Sequence, residues 1–126
     1  MVRSDKSFPE AMLVLQNAIK QQGYTLSRVQ RVDIGLTASG FQTDKYRIVF
    51  FGKPDEIRTL TAEHPQLIPY LPVSITIFAE NEQTVLTAIN PKRLYEIAPD
   101  SDFALRTTHW YNDIQSIMDD LRRQDD

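Results

Sequence analysis

The segment Phe51-Gly-Lys-Pro54 places a cation where a predicted strand meets a predicted helix. The ammonium group of Lys53 and the free N–H groups of a helix N-terminus both favour negative charge, so this segment is a candidate anion-binding site. The alternative is a plain strand-to-helix turn, in which Gly52 supplies backbone freedom and Pro54 starts the helix. Under the first interpretation, the ligand-binding residues are Phe51, Gly52, Lys53 and Pro54.

The two histidines, His64 and His109, lie far apart in the sequence. A metal site normally needs three or four ligands, and neither histidine belongs to an HxH, HxxxH or HExxH spacing, so we expect no metal. Solvated or core-edge imidazoles are the alternative to a ligand role for His64. Pairing His64 with Glu63 as acid and base has no support, because adjacent side chains on an extended segment point apart.

Asp33 follows a predicted apolar strand and lies close in sequence to Thr37. A carboxylate at a strand end, beside a hydroxyl group, can contact a ligand, so both residues are candidate ligand-binding residues. The alternative is that Asp33 caps the next turn, which is the commoner role for Asp in this setting.

Aromatic side chains form a further candidate set, because a curved sheet covered by a helix can leave room for a small ligand. Filling the core is the alternative role for the same residues. The set comprises Tyr46, Phe50, Phe51, Tyr70, Phe78 and Trp110.

No established catalytic motif is present in the sequence. There is no Gly-x-Gly-x-x-Gly, no P-loop and no Gly-x-Ser-x-Gly. The chain has no cysteine, which excludes thiol catalysis, disulfides, iron–sulfur clusters and thiolate zinc sites. The sequence therefore indicates no particular cofactor.

The composition is that of a single ordinary domain. The chain has 126 residues, 41% of them hydrophobic and 25% charged. The net charge of −3 opposes nucleic-acid binding. No apolar run reaches the roughly 18–20 residues that span a bilayer, and no signal peptide is visible, so we expect a cytoplasmic protein without a membrane partner.

Periodicity and breakers predict the order of the elements. Ser7 and Glu10 suggest a capping box, and Gly23 a left-handed C-terminal cap. The alternation after Tyr24 slips once, as around a β-bulge. The predicted elements are a strand within residues 1–6, a helix over about 8–22, a strand over 24–32, a helical turn or loop over 33–40, a strand over 46–51, a short helix over 54–63, strands over 71–78 and 84–89, a helical turn over 91–96 and a long helix from about 101.

Two further details complete the predicted fold. The polar residues 79–83 predict a hairpin connection between two antiparallel strands. The buried face of the last helix is predicted to consist of Leu105, Trp110, Ile114, Ile117, Met118 and Leu121. The fold class is therefore α+β, a two-layer sandwich with two main helices on one face of a mostly antiparallel sheet.

Several short motifs occur in a characteristic order: Ser7-Phe-Pro-Glu-Ala11, Gly23-Tyr24 and Arg31-Val-Asp33, then Phe51-Gly-Lys-Pro54, Leu71-Pro-Val73 and Ala88-Ile-Asn-Pro91. In this order the sequence resembles the bacterial and archaeal family of domain of unknown function 302, over residues 6–121. The resemblance implies a β-α-β(4)-α layout like half of the TATA-binding protein. It also implies a tendency to form homodimers, and no established activity.

The sequence departs from the family pattern at two points. Relatives often carry Asn where this chain has Lys53, and some carry cysteines near the equivalents of Gly52 and Pro72, where this chain has none. An amide contact or a thiol role therefore does not transfer to this chain.

The residues and the resemblance together favour a homodimeric module that binds a small ligand or a protein. The alternative is a small enzyme or accessory protein in anion or redox-linked metabolism, whose site would comprise Asp33, Lys53, His64 and Tyr70. Nucleic-acid binding rests only on the likeness of layout to the TATA-binding protein and is opposed by the acidic charge.

Overall fold

The computed structural model describes residues 1–32 and 45–123, and the predicted turn or loop over 33–40 lies outside them. In chain order the described elements are β1 (Val2–Ser4), α1 (Phe8–Gln21), β2 (Thr25–Arg31), β3 (Tyr46–Gly52), α2 (Pro54–Glu63), a first 3₁₀ turn (Pro65–Tyr70), β4 (Val73–Glu80), β5 (Gln83–Thr87), a second 3₁₀ turn (Pro91–Glu96) and α3 (Ser101–Arg123). The strands form one antiparallel sheet in the order β1-β5-β4-β3-β2. The predicted α+β class and the N-terminal strand are confirmed.

One face of the sheet carries the hydrophobic core. Side chains alternate along a strand, so Val49 and Phe51 of β3 share a face with their partners Ile75 and Val73 of β4. Helices α1 and α3 pack against this face. Their fully buried side chains include Leu15, Ile19, Phe103, Ile117 and Leu121. We call the opposite face, which carries Phe50 and Ser74, the outer face.

The ends of α1 follow the local sequence signals. The Ser7 hydroxyl accepts a hydrogen bond of 3.4 Å from the backbone N–H of Glu10. Gly23 has a φ of +87°, and its N–H donates to the carbonyl of Lys20 at 3.0 Å. A side chain is strained at this φ, so glycine is the residue that ends α1 with least strain. None of the described helices is both long and apolar enough to span a bilayer.

The β4–β5 hairpin is tighter than the predicted connection over residues 79–83. β4 extends to Glu80 and β5 begins at Gln83, so Asn81 and Glu82 alone form the turn. Both have positive φ values, +51° and +65°, which are typical of a two-residue type I′ turn. The predicted antiparallel hairpin is confirmed, and its connection is shorter than predicted because a polar strand end has the composition of a loop.

The prediction that Leu105 belongs to the buried face of α3 is wrong. Leu105 is 63% exposed, whereas Phe103 and Thr107 are 1% exposed. A helix turns about 100° per residue, so Leu105 lies about 140° around the axis from Trp110. Helical spacing from Trp110 instead brings Phe103 and Thr107 onto the buried side.

This difference gives a paired test on one helix. We expect Phe103→Ala to lower the free energy of unfolding by about 3–5 kcal/mol, because it removes a buried ring and leaves a cavity. Leu105→Ala should change it by less than about 0.5 kcal/mol, since its side chain is largely in solvent. Urea unfolding of both variants measures the difference. Equal losses of stability would contradict the placement of α3.

Candidate functional site

An open cavity of about 680 Å³ lies at one end of the sheet, where β4 begins and the second 3₁₀ turn follows β5. We call it the end cavity. Its polar lining side chains include Ser27, Arg28, Ser74 and Arg93. Its largely apolar wall includes Phe50, Leu71, Pro72, Val73, Leu94 and Ile97.

Strand register builds the floor of the end cavity on the outer face. Arg28 of β2 is the partner of Phe50 of β3, and Phe50 is the partner of Ser74 of β4, so the three residues form one row across the sheet. The predicted slip in β2 is confirmed as an irregularity between Leu26 and Arg28. The guanidinium carbon of Arg28 lies 4.4 Å from the centre of the Phe50 ring, which holds the cation beside the cavity.

The two 3₁₀ turns form the walls, and hydrogen bonds fix the second of them. The Asn90 side chain accepts a hydrogen bond of 2.9 Å from the backbone N–H of Lys92, and the Asn90 carbonyl accepts one of 3.1 Å from Arg93. The side-chain amide of Gln66 donates to the carbonyl of Ile97 at 3.5 Å, which links the two turns. Arg93 therefore lines the cavity from a segment that hydrogen bonds hold in place.

The rim of the end cavity carries large apolar side chains in solvent. Tyr70 and Ile89 line the cavity and are 51% and 78% exposed. Ile68 and Tyr95, on the two 3₁₀ turns, are 59% and 41% exposed. We call these four residues the rim patch.

A second cavity, of about 240 Å³, is more polar and lies between the start of α2 and the middle of α3. We call it the polar cavity. The Tyr24 hydroxyl donates a hydrogen bond of 2.5 Å to the carboxylate of Asp113. Burial raises the pKa of Tyr24 well above its usual 10.0, and the hydrogen bond and negative charge of Asp113 and the charge of Glu56 raise it further. The phenol therefore stays protonated at neutral pH.

The start of α2 already holds negative charge of its own. Asp55 and Glu56 lie in its first turn, and the Glu56 carboxylate accepts hydrogen bonds of 2.7 Å from Trp110 and from Arg106. Lys53 lies over the Tyr24 ring, with its ammonium nitrogen 5.2 Å from the ring centre. These carboxylates compete with an added anion for the positive end of the helix. This arrangement favours the structural interpretation of the turn.

Gly52 and Phe51 have clear packing roles in the same segment. A Cβ at position 52 would collide with the side chain of Ile57, so Gly52 lets α2 approach β3 closely. Phe51 is fully buried and packs edge-to-face on Tyr24, with 5.3 Å between ring centres. Pro54 starts α2 as predicted and, with Gly52, lines a cavity of about 330 Å³ that shares Ser27 and Pro72 with the end cavity.

The remaining predicted site residues have different surroundings. His64 follows α2, with its ring centre 6.2 Å from that of Phe103, and Tyr70 lines the end cavity. Asp33 and Thr37 lie outside the described residues. Within the described ranges, no group of three potential His, Cys, Asp or Glu metal ligands is found.

Sequence reasoning missed Arg28, Ser74 and Arg93, which are the main polar groups of the end cavity. No motif marks them, since they lie on β2, on β4 and on the second 3₁₀ turn. Phe50 was among the aromatic candidates for a cavity between the sheet and the last helix, whereas the cavity that it lines is on the outer face of the sheet. The only signal for Arg93 was its place in the short basic pair with Lys92.

The geometry defines a small α+β domain with an open cavity on the outer face of an antiparallel sheet. The family model described as domain of unknown function DUF302 matches residues 1–121, so the chain belongs to this family. The resemblance seen in the motif order is thereby confirmed.

A solved structure shows the same fold. It is described as the crystal structure of the uncharacterized conserved protein DUF302 from Bacillus stearothermophilus, and it matches with a TM-score of 0.83 at 18% sequence identity. The match covers 95% of this chain and 94% of that chain. At this identity the likeness shows a shared fold alone. The comparison with curated proteins finds no match.

The buried tyrosine predicts a pH effect on stability. The folded-state pKa of Tyr24 is raised above the unfolded value of 10.0, so its contribution is complete below that pH and declines as the pH rises above it. From about pH 8 to about pH 11, we expect wild type to lose about 1 kcal/mol more stability than Tyr24→Phe.

Urea unfolding at the two pH values measures this difference. Tyr95→Phe is the matched control, because Tyr95 is 41% exposed. It should lose as much stability as the wild type over the same interval. A Tyr24→Phe variant with the wild-type pH dependence would show that the buried phenol does not couple to folding.

Proposed function

We propose that this protein is a binding module for a small ligand, which it holds in the end cavity. The observation that carries the proposal is the cavity volume of about 680 Å³. Small-molecule sites are typically clefts of about 300–1,000 Å³, mainly apolar, with a few polar groups that fix orientation. The end cavity combines such a volume with an apolar wall and a polar row formed by Arg28 and Ser74.

The lining chemistry favours binding over catalysis. Among the described residues that line the end cavity, the polar side chains carry hydroxyl or guanidinium groups, and none is His, Asp, Glu or Lys. A guanidinium group stays protonated, and a hydroxyl group needs a neighbouring base to act as a nucleophile. The lining thus offers groups that orient a ligand and lacks a base that would activate it.

The enzyme alternative has less support. Its proposed site comprised Asp33, Lys53, His64 and Tyr70. Lys53 lines the polar cavity and Tyr70 the end cavity, whereas His64 lies beside Phe103. The cytoplasmic location and the lack of nucleic-acid and membrane partners stay predictions from the sequence.

Filling the end cavity tests the proposal. Native mass spectrometry of the protein purified from its expression host should show a retained small molecule as added mass. Ser74→Trp places a large ring in the cavity floor, and we expect the fraction with added mass to fall at least about tenfold, as occupied volume excludes the ligand.

Thr76→Trp is the matched control. Thr76 lies two residues further along β4 on the same outer face, pairs with Ile48, and does not line the end cavity. This variant should keep the added mass of the wild type. Added mass retained equally by both variants would place the ligand elsewhere, and a wild type with no added mass would count against a tightly held ligand.

We also propose that the chain forms homodimers, supported by the rim patch. A cluster of exposed large apolar side chains is typical of protein interaction surfaces. In the rim patch, Tyr70 and Ile89 line the end cavity, and Ile68 and Tyr95 lie exposed on the two 3₁₀ turns that contribute to its walls. Covering it with a second copy removes these side chains from water.

Light scattering tests the dimer. We expect twice the chain mass of 14.5 kDa for the wild type. Ile89→Asp puts a charge in the rim patch and should shift the mass toward 14.5 kDa, because a buried unpaired carboxylate is costly. Leu13→Asp changes a side chain that is 62% exposed on α1 and should leave the dimer intact. A monomeric wild type, or equal effects of both variants, would contradict the proposal.

A further inference from the structure

We infer that the ligand of the end cavity is an apolar molecule with an oxyanion group, a carboxylate or a phosphate, which Arg28 and Arg93 hold. This inference rests on the proposed binding function and adds the chemical class of the ligand. The two arginines are the charged groups among the described lining residues, and no described carboxylate lines the cavity. The lining is thus cationic in a chain whose net charge is −3.

Neither guanidinium group is engaged by a carboxylate within residues 1–32 and 45–123. Arg3, Arg58, Arg106 and Arg122 each pair with a carboxylate there, whereas Arg28 and Arg93 do not. Arg28 instead lies over the Phe50 ring, with its guanidinium carbon 4.4 Å from the ring centre, a cation–π contact that engages no described carboxylate. Arg93 forms no side-chain hydrogen bond or ion pair with those residues.

Lys92, the other member of the basic pair with Arg93, contacts an aromatic ring on α3. The ammonium nitrogen of Lys92 lies 4.4 Å from the centre of the Tyr111 ring on α3. Arg93, the next residue, lines the end cavity. In the second 3₁₀ turn, Lys92 therefore packs against α3, and Arg93 lines the end cavity.

Guanidinium donors suit a planar or tetrahedral oxyanion. A guanidinium group can donate two parallel hydrogen bonds to a carboxylate or a phosphate, and such charge-assisted bonds are stronger than neutral ones. The hydroxyl groups of Ser27 and Ser74 lie in the same lining and can donate to the same group. The two arginines and the two serines can thus donate hydrogen bonds to one anionic group of the ligand.

The rest of the lining suits an apolar body. Phe50, Leu71, Leu94 and Ile97 line the cavity with hydrocarbon or aromatic surface. A hydrophilic anion such as free phosphate would leave this surface in contact with water. An apolar cation would face two like charges and no carboxylate. The combination favours an apolar oxyanion over both.

The test uses four probes with the same naphthalene body: 2-naphthoate, 2-naphthyl phosphate, the neutral 2-naphthamide and the cation 2-naphthylmethylammonium. Isothermal titration at low salt measures their dissociation constants. We expect at least one anion to bind about tenfold or more tightly than the amide, from its charge-assisted hydrogen bonds. The preferred anion distinguishes a carboxylate from a phosphate ligand.

Arginine variants test whether the preference for an anion over the amide arises in the end cavity. Arg28→Gln and Arg93→Gln should bring the affinity for the preferred anion down toward that for the amide. Arg58→Gln is the control, since Arg58 is exposed, pairs with Asp55 at 3.2 Å and does not line the end cavity. It should keep the wild-type preference. Loss of preference in all three variants would assign it to overall charge and overturn the inference.

The outcomes separate this inference from the proposed function. Equal binding of all four probes, lost in Ser74→Trp but kept in Thr76→Trp, would overturn the oxyanion class and leave the cavity as a binding site. Tighter binding of the cation would do the same. Anion binding that survives in Ser74→Trp would place the anion site elsewhere. Binding of none of the probes would also overturn the inference, while added mass in native mass spectrometry would still decide the proposed function.

Discussion

Antiparallel register in the sheet is the constraint on which both the core and the candidate site depend. The pairing of β3 with β4 sets Val49 opposite Ile75 on the core face, and the same pairing sets Phe50 opposite Ser74 on the outer face. A shift of one residue would send the core side chains to solvent and the polar row into the core. The hydrophobic driving force that fixes the core therefore also fixes the floor of the end cavity.

Local signals in the sequence predicted most of the described elements, because their causes lie within a few residues. Gly23 ends α1 in the left-handed region, and Pro54 starts α2. Errors arose where a tertiary or turn effect decided the outcome. Residues 79–83 are polar and were predicted to be a connection, although they include the ends of two strands. Leu105 is apolar and was predicted to be buried, although it is exposed on α3.

The candidate site was harder to predict, since it is assembled from distant segments. Arg28 and Ser74 become neighbours in one row only through two strand pairings. Arg93 joins them from a 3₁₀ turn beyond β5. The sequence drew attention instead to Lys53, whose surroundings include Tyr24 and the acidic first turn of α2. The family assignment supplies a fold without an activity, so the chemistry of the lining carries the functional argument.

The most direct test of ligand binding in the end cavity is an amide NMR titration of the ¹⁵N-labelled wild type with 2-naphthoate. We expect saturable shift changes at Phe50, Ser74 and Arg93, around the end cavity. Amide signals of Tyr24 and Asp113, beside the polar cavity, should stay in place. Shifts confined to the polar cavity, or no saturable shifts at all, would contradict binding of an apolar oxyanion in the end cavity.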